Sequence, residues 1–394
     1  MNLSLLLGCV SPTSSTLPPL QQDAFVWQMQ WPSQVSAAVT AHGGAFDRLT
    51  VLRAEVTWDS TQPRIRWVEP DRQRLRQTGR PVGFAIRVRV PPEDRWDLAG
   101  DVVSELVAEM IGHDPWIEEV HLDVDAPTAK LDRYAGWLAG VDVGDRMLSV
   151  TALPDWLRSA QLPMLLNSVD EMVLQVHWLR PPGQVSDPLA LMEIDALPGW
   201  LDAAARLDRP FSVALPTYGY QVGFDPISGQ RIAGHAETGR MDGGAVWREV
   251  RADPAALATL IDAWSTERPA RMRGVRWYRL PVEGDVLNWR WVTLDAVMKG
   301  RVPVPDLRLL VEHREDGLMD LRVTNRGDAG DALPPVGLSA GGHVVVADGL
   351  GGVRWSAGAR RWTPARPIWI APGADRPIGW ARVEGEVVPS FIGR

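Results

Sequence analysis

The chain has 394 residues, of which 45% are hydrophobic and 23% charged, with a formal net charge of −8. These proportions suit a soluble globular protein with one large domain and a small one. The acidic balance excludes nucleic acid as a partner, because that would need a basic face. The single cysteine, Cys9, leaves no intrachain disulfide framework. Nearly all positive charge is arginine, since Lys130 and Lys299 are the only lysines. The 19 tryptophans against 4 tyrosines and 6 phenylalanines have two readings: bulky core filler, or indole faces stacked on sugar rings.

In chain order, residues 1–22 come first. Leu5-Leu6-Leu7-Gly8-Cys9 followed by a Ser/Pro/Thr-rich run from Ser11 to Pro19 resembles the lipobox of bacterial lipoproteins. That resemblance implies a lipidated Cys9, a flexible tether and a cell-envelope location, periplasmic or on the surface. No Lys or Arg precedes the apolar run, which is short. Either the chain begins downstream of the true start or Cys9 is incidental. Membrane contact is expected only through the lipid anchor, because nothing else is apolar over a bilayer-spanning length.

Strand-like runs follow at 24–28, 49–56, 81–89, 118–127, 147–153, 171–179, 211–218 and 274–280. Helix-like segments lie between them, among them 98–111, 131–141, 198–207 and 254–265, with 292–298 as the closing helix. Eight alternating units over 23–302 predict an α/β fold, a (β/α)8 TIM barrel. Near Pro303-Val304-Pro305 the composition shifts. Short alternating runs separated by Asp316-Gly317, Arg326-Gly327 and Asp348-Gly349 predict a small C-terminal antiparallel β-sandwich over 306–394. Its expected role is to brace the barrel, the alternative being polysaccharide binding.

Catalytic groups in this architecture sit at the C-terminal ends of the strands. The fourth run alternates with period two: Val120, Leu122, Val124 and Ala126 on one face, His121, Asp123 and Asp125 on the other. Inward parity also selects Arg53 and Glu55, Arg87 and Arg89, Ser149 and Thr151, Gln175 and His177, and Tyr218. These could form a buried ion-pair lattice, with Glu55 paired to Arg53 or Arg87, since an unpaired buried carboxylate is costly. They could equally carry chemistry. Asp123 and Asp125 lie about 6.5–7 Å apart on one face. One of two carboxyls that close is expected to keep its proton, as a general acid for a glycosidic oxygen requires. A metal at His121/Asp123/Asp125 is a further alternative. No His-x-His or His-x-x-x-His spacing supports it, so no metal or other cofactor is expected. No Gly-x-Ser-x-Gly elbow or phosphate-cradling loop is present.

Leu122-Asp123-Val124-Asp125 resembles the fourth-strand Asp-x-Asp-x-Glu motif of chitinase-type glycoside hydrolases. Leu148 to Pro154, Leu215-Pro216-Thr217-Tyr218-Gly219 and Gly274-Val275-Arg276-Trp277 are similar to their fifth, seventh and eighth strands, the eighth ending in a floor tryptophan. Val26-Trp27-Gln28, Ala54-Glu55-Val56, Gln175-Val176-His177 and Pro216 to Tyr220 resemble landmarks of an uncharacterised bacterial family, a domain of unknown function. The resemblance implies a glycoside hydrolase-like envelope protein acting on a polysaccharide or oligosaccharide, with amino sugars among the candidates. Asp125 would be the proton donor, assisted by Asp123 and Glu55. His121, Gln175, His177, Tyr218 and Arg87 would position the sugar, and Trp27 and Trp277 would stack on it. Asp125 stands where the family has Glu, and Gln175-Val176-His177-Trp178 replaces a Met-x-Tyr-Asp pattern. A non-catalytic glycan-binding or scaffold barrel and a metal-dependent hydrolase are therefore carried as alternatives.

Overall fold

A computed structural model describes residues 17–59, 62–178, 180–235, 244–339 and 341–393. Cys9, and with it the lipidation expectation, lies outside the described residues.

Eight parallel strands close into a barrel: β1 (Gln21–Val26), β2 (Leu49–Trp58), β3 (Val82–Val88), β4 (Glu119–Val124), β5 (Met147–Ala152), β6 (Glu171–Gln175), β7 (Phe211–Pro216) and β8 (Met272–Tyr278). β1 pairs with both β2 and β8, so the eight parallel strands close on themselves. Between the strands run α1 (Ser33–His42), α2 (Arg72–Gln77), α3 (Trp96–His113), α4 (Leu131–Gly140), α5 (Leu162–Leu166), α6 (Leu197–Ala205) and α7 (Pro254–Thr266), and α8 (Trp291–Met298) completes the ring. Local chemistry sets their limits. α7 starts where Asp253 accepts from the amides of Ala255 and Ala256, with Pro254 in the first turn. α3 buries Ala99, Val103, Leu106, Val107 and Met110, a helical stripe that covers the sheet.

Period-two alternation divides every barrel strand. Outward side chains such as Phe84, Ile86, Val120, Leu122, Val150, Leu174, Val213 and Val275 join the helices in one apolar cluster. A second, smaller cluster of Phe25, Trp27, Leu52, Ala85, Val173 and Ala214 fills the barrel interior. A bulge between Leu52 and Ala54 sets Arg53 out of this alternation. Its guanidinium turns to the Val68 carbonyl (2.6 Å), Glu69 (3.2 Å) and Asp114 (3.7 Å). The expected inward Arg53, paired to Glu55, is thereby overturned, because one extra residue rotates the side chain off the inner face.

Two additions go beyond the eight predicted units. Strand Pro63–Trp67 runs antiparallel to the upper half of β2. Between β7 and α7, strands Gly219–Phe224, Arg231–His235 and Val246–Arg251 form a separate antiparallel sheet. C-terminal to α8, two four-stranded antiparallel sheets enclose their own core around Met319, Leu321, Val323, Trp362 and Ile378. Strand Leu318–Asn325 shows strict alternation of half-buried and buried residues. The Thr293 hydroxyl of α8 donates to the Asp328 carbonyl at 2.6 Å, and Arg251 lies 5.0 Å over the Trp369 ring, so side chains link barrel and sandwich.

Candidate active site

β4 carries Glu119, His121 and Asp123 inward, all buried, on successive levels toward the barrel mouth. Asp125 follows the strand end and its side chain is 45% exposed. Arg87, one strand over on β3, bridges the pair: Nε lies 3.6 Å from Asp123 Oδ2 and Nη2 lies 3.9 Å from Asp125 Oδ2. Burial pushes the Asp123 carboxyl up to about 6, and the like charge of Asp125 adds to the rise while Arg87 opposes it. The carboxyl that keeps its proton is thus the inner one, and the outer one faces solvent. Glu55, at the end of β2, pairs with Arg89 at 3.2 Å rather than with Arg53 or Arg87.

Across the mouth an aromatic set converges on Tyr278 of β8. Its ring lies 5.1 Å from His177, 5.6 Å from Trp27, 5.6 Å from Tyr218 and 6.0 Å from Phe25. Burial lowers His177 to about 3, so its imidazole is neutral. Burial raises Tyr218, whose hydroxyl is hydrogen-bonded to His177 Nδ1 at 3.3 Å. His177 Nε2 has no hydrogen-bond partner among the described residues. Gln175 donates to the His177 carbonyl at 3.2 Å and supports the turn rather than the mouth. Trp27 is on the inner wall but only 6% exposed, packed against Phe25 and Tyr278.

Trp277 does not reach the site. It is fully buried on the outer face, 6.4 Å from Trp289, and its indole donates to Gln22 at 3.1 Å. The expected sugar-stacking role is corrected by parity. Arg276 points into the barrel, so Trp277 points out and Tyr278 points in. Inward Arg276 was itself the signal that would have identified Tyr278.

Below the mouth lies a charged tier that a search confined to strand ends overlooks. Arg276, fully buried, donates to Glu119 Oε1 at 2.6 Å and lies 3.4 Å from Glu171 and 3.7 Å from Asp23. Against burial, which pushes it up, the Arg276 and Arg48 charges hold Glu119 at about 2. Asp23 is farther from the guanidinium, and burial raises it to about 7. This is a buried ion-pair lattice, built from Asp23, Glu119, Glu171 and Arg276 instead of the strand-end groups.

His121 stands between the tier and the mouth with both ring nitrogens engaged, Nδ1 with Ser149 Oγ (2.7 Å) and Nε2 with Thr151 Oγ1 (3.0 Å). It has no lone pair left for a metal, nor a face toward a sugar. Among the described residues no group of three His, Cys, Asp or Glu side chains is placed to hold a metal ion.

The model of a domain of unknown function, DUF3142, matches residues 78–283, slightly more than half the chain, and a second such model, DUF8456, matches residues 308–384. No curated protein matches. Among solved structures, a chitinase from Chromobacterium violaceum is similar at a TM-score of 0.50 and 14% identity, covering 71% of this chain and 98% of that one. The spore cortex-lytic enzyme SleL of Bacillus cereus gives 0.49 at 12% identity over 72% and 74% of the two chains. The GH18 chitinase ChiB of Flavobacterium johnsoniae gives 0.48 at 8% identity over 72% and 94%. The chain belongs to the DUF3142 family, on a glycoside-hydrolase-like TIM barrel of the kind seen in chitinases.

Proposed function

We propose that the barrel mouth binds and cleaves a polysaccharide, with Asp123 and Asp125 as its proton-handling pair. The observation that carries this is the pair itself. A buried carboxyl that titrates near neutrality sits behind an exposed one at the end of β4, and one arginine bridges both. Below about pH 6 the buried Asp123 carboxyl holds a proton, and the exposed Asp125 is the one a glycosidic oxygen can approach. Glu55 lies two strands over, where it would support positive charge on the sugar ring. Tyr278, Tyr218 and neutral His177 would form an uncharged wall for the sugar. The test is turnover of a panel of amino-sugar and neutral polysaccharides. Wild type should cleave at least one, and Asp125→Asn should lose about 100-fold or more in kcat with binding retained. Equal turnover by the variant, or none by wild type, removes the catalytic assignment.

A non-catalytic glycan-binding barrel is favoured by one observation: Trp27, Tyr218 and His177 are each under 10% exposed, so aromatic packing fills much of the mouth. Glycan binding by wild type and Asp125→Asn alike, without turnover, is the outcome that belongs to it. The metal-dependent alternative gains no support, since His121 is fully engaged. A polysaccharide substrate also suits an envelope location with Cys9 as the lipid anchor. Labelling with a fatty-acid analogue, lost in Cys9→Ala, is the expected result.

A further inference from the structure

We propose that the glycan held at the barrel mouth is anionic, with Arg66 as the residue that recognises its acid group. This rests on the reading of the mouth as a polysaccharide site. The starting point is the hairpin that β2 makes with strand Pro63–Trp67. Residues directly opposite each other in an antiparallel pair share a face. Arg66 stands opposite Glu55, and Arg64 opposite Thr57. Val68, two residues beyond Arg66, lies in the apolar cluster that fills the barrel interior. With a period of two, Val68, Arg66 and Arg64 form one row. Its foot is in the barrel core and its two arginines are exposed. The hairpin thus carries the inner face of the barrel up beyond the mouth, and that extension is cationic.

The carboxylates of this rim are already matched. Glu55 pairs with Arg89 at 3.2 Å and Asp59 with Arg64 at 2.9 Å, while Arg87 spans Asp123 and Asp125 at 3.6 and 3.9 Å. Among the described residues no carboxylate takes up Arg66, although Glu55 is its cross-strand neighbour. Below about pH 6 Asp123 keeps its proton, so these four arginines then face three ionised carboxylates. The opposite wall of Tyr278, Tyr218 and neutral His177 has no charge to repel an anion. A guanidinium offers a planar pair of N–H donors that fits the paired oxygens of a carboxylate, sulfate or phosphate. Three strand spacings of about 4.8 Å separate the hairpin strand from β4. The acid group therefore belongs to a sugar unit farther along the chain than the bond at Asp125, and only an oligomer reaches both. The net charge of −8 does not draw an anion by its overall field, so attraction of an acidic glycan has to be local.

The test is equilibrium binding. Polygalacturonate is the carboxylate probe, with its fully methyl-esterified form as the uncharged match, and dextran sulfate is set against dextran as the sulfate probe. At least one acidic polymer should bind about tenfold more tightly than its neutral match. Arg66→Gln should remove that gain, weakening the acidic polymer about tenfold and leaving the neutral one unchanged. Arg66→Lys should recover part of it, since the charge stays and the fork is lost. The polymer that shows the gain distinguishes a carboxylate from a tetrahedral oxyanion. Arg74 is exposed on α2, which packs through Leu75 on the outer core, so Arg74→Gln is the control and should bind as wild type does. Equal affinity for acidic and neutral polymers, an unchanged Arg66→Gln, or an equal loss in Arg74→Gln overturns the proposal. Cleavage of a neutral polysaccharide with no preference for acid groups overturns this inference alone. An acidic polymer bound through Arg66 but never cut overturns the cleavage alone.

Discussion

Tyr278 and Trp277 are neighbours with opposite tasks, and the difference is one step of strand parity. Trp277 supports the outer core, where truncation to alanine leaves a large cavity. Trp277→Ala should lower stability by about 3–5 kcal/mol in urea unfolding. Tyr278→Ala should weaken glycan binding about tenfold, the order of one lost aromatic contact. The reverse assignment of effects would place the wrong residue in the mouth. His177 gives a pH signature. Its folded value is depressed to about 3 from 6.5. The stability it contributes is present above pH 6.5 and is lost as pH falls toward 3. His177→Leu should therefore flatten acid destabilisation between pH 6.5 and 4, by on the order of 3 kcal/mol. An identical slope in wild type and variant would contradict the neutral, buried imidazole.

At the scale of elements, the strand–helix alternation was legible because each barrel strand must bury an apolar outer face under helices. Val120, Leu122 and Val124 announce that face without ambiguity. The inner face was legible only in part. Arg53 obeys no alternation because a bulge adds a residue, and nothing in Leu52-Arg53-Ala54 marks the bulge. The insertion 219–251 escaped notice because its strands are short and broken by Gly223 and Gly234, where Trp247 and Tyr220 rings pack close over the bare backbone. Glu119, Glu171, Asp23 and Arg276 were missed for a different reason. The three carboxylates lie in the N-terminal halves of their strands and Arg276 is paired with them, so this charge supports the fold rather than substrate. Arg276→Met should cost about 3–5 kcal/mol, because it removes the fully buried cation that the three carboxylates share and leaves only the longer contacts to Arg48 and Arg273. An additional Glu119→Gln change should recover part of that loss, and no recovery would argue against the ion-pair lattice.

For the whole molecule, two pairs of buried groups pull stability in opposite directions with pH. His121 and His177 are depressed, so their stabilisation is lost on acidification below pH 6.5. Asp23 and Asp123 are raised, so theirs is fully present below pH 3.8 and is lost as pH rises through about 6 to 7. Asp23→Asn removes one of the opposing terms. Wild type should gain relative to it by on the order of 4 kcal/mol between pH 7 and 4. The same titration of Asp123 bears on function, because in the proposed cleavage Asp125 delivers a proton that the buried Asp123 carboxyl behind it supplies. The most direct measurement is the pH dependence of kcat/KM on a cleaved polysaccharide, in wild type and Asp123→Asn. Wild-type activity should fall about tenfold per unit as pH rises above about 6, and the variant should lack that limb. A flat wild-type profile from pH 5 to 8, or the same limb in Asp123→Asn, would contradict a proton held at the end of β4.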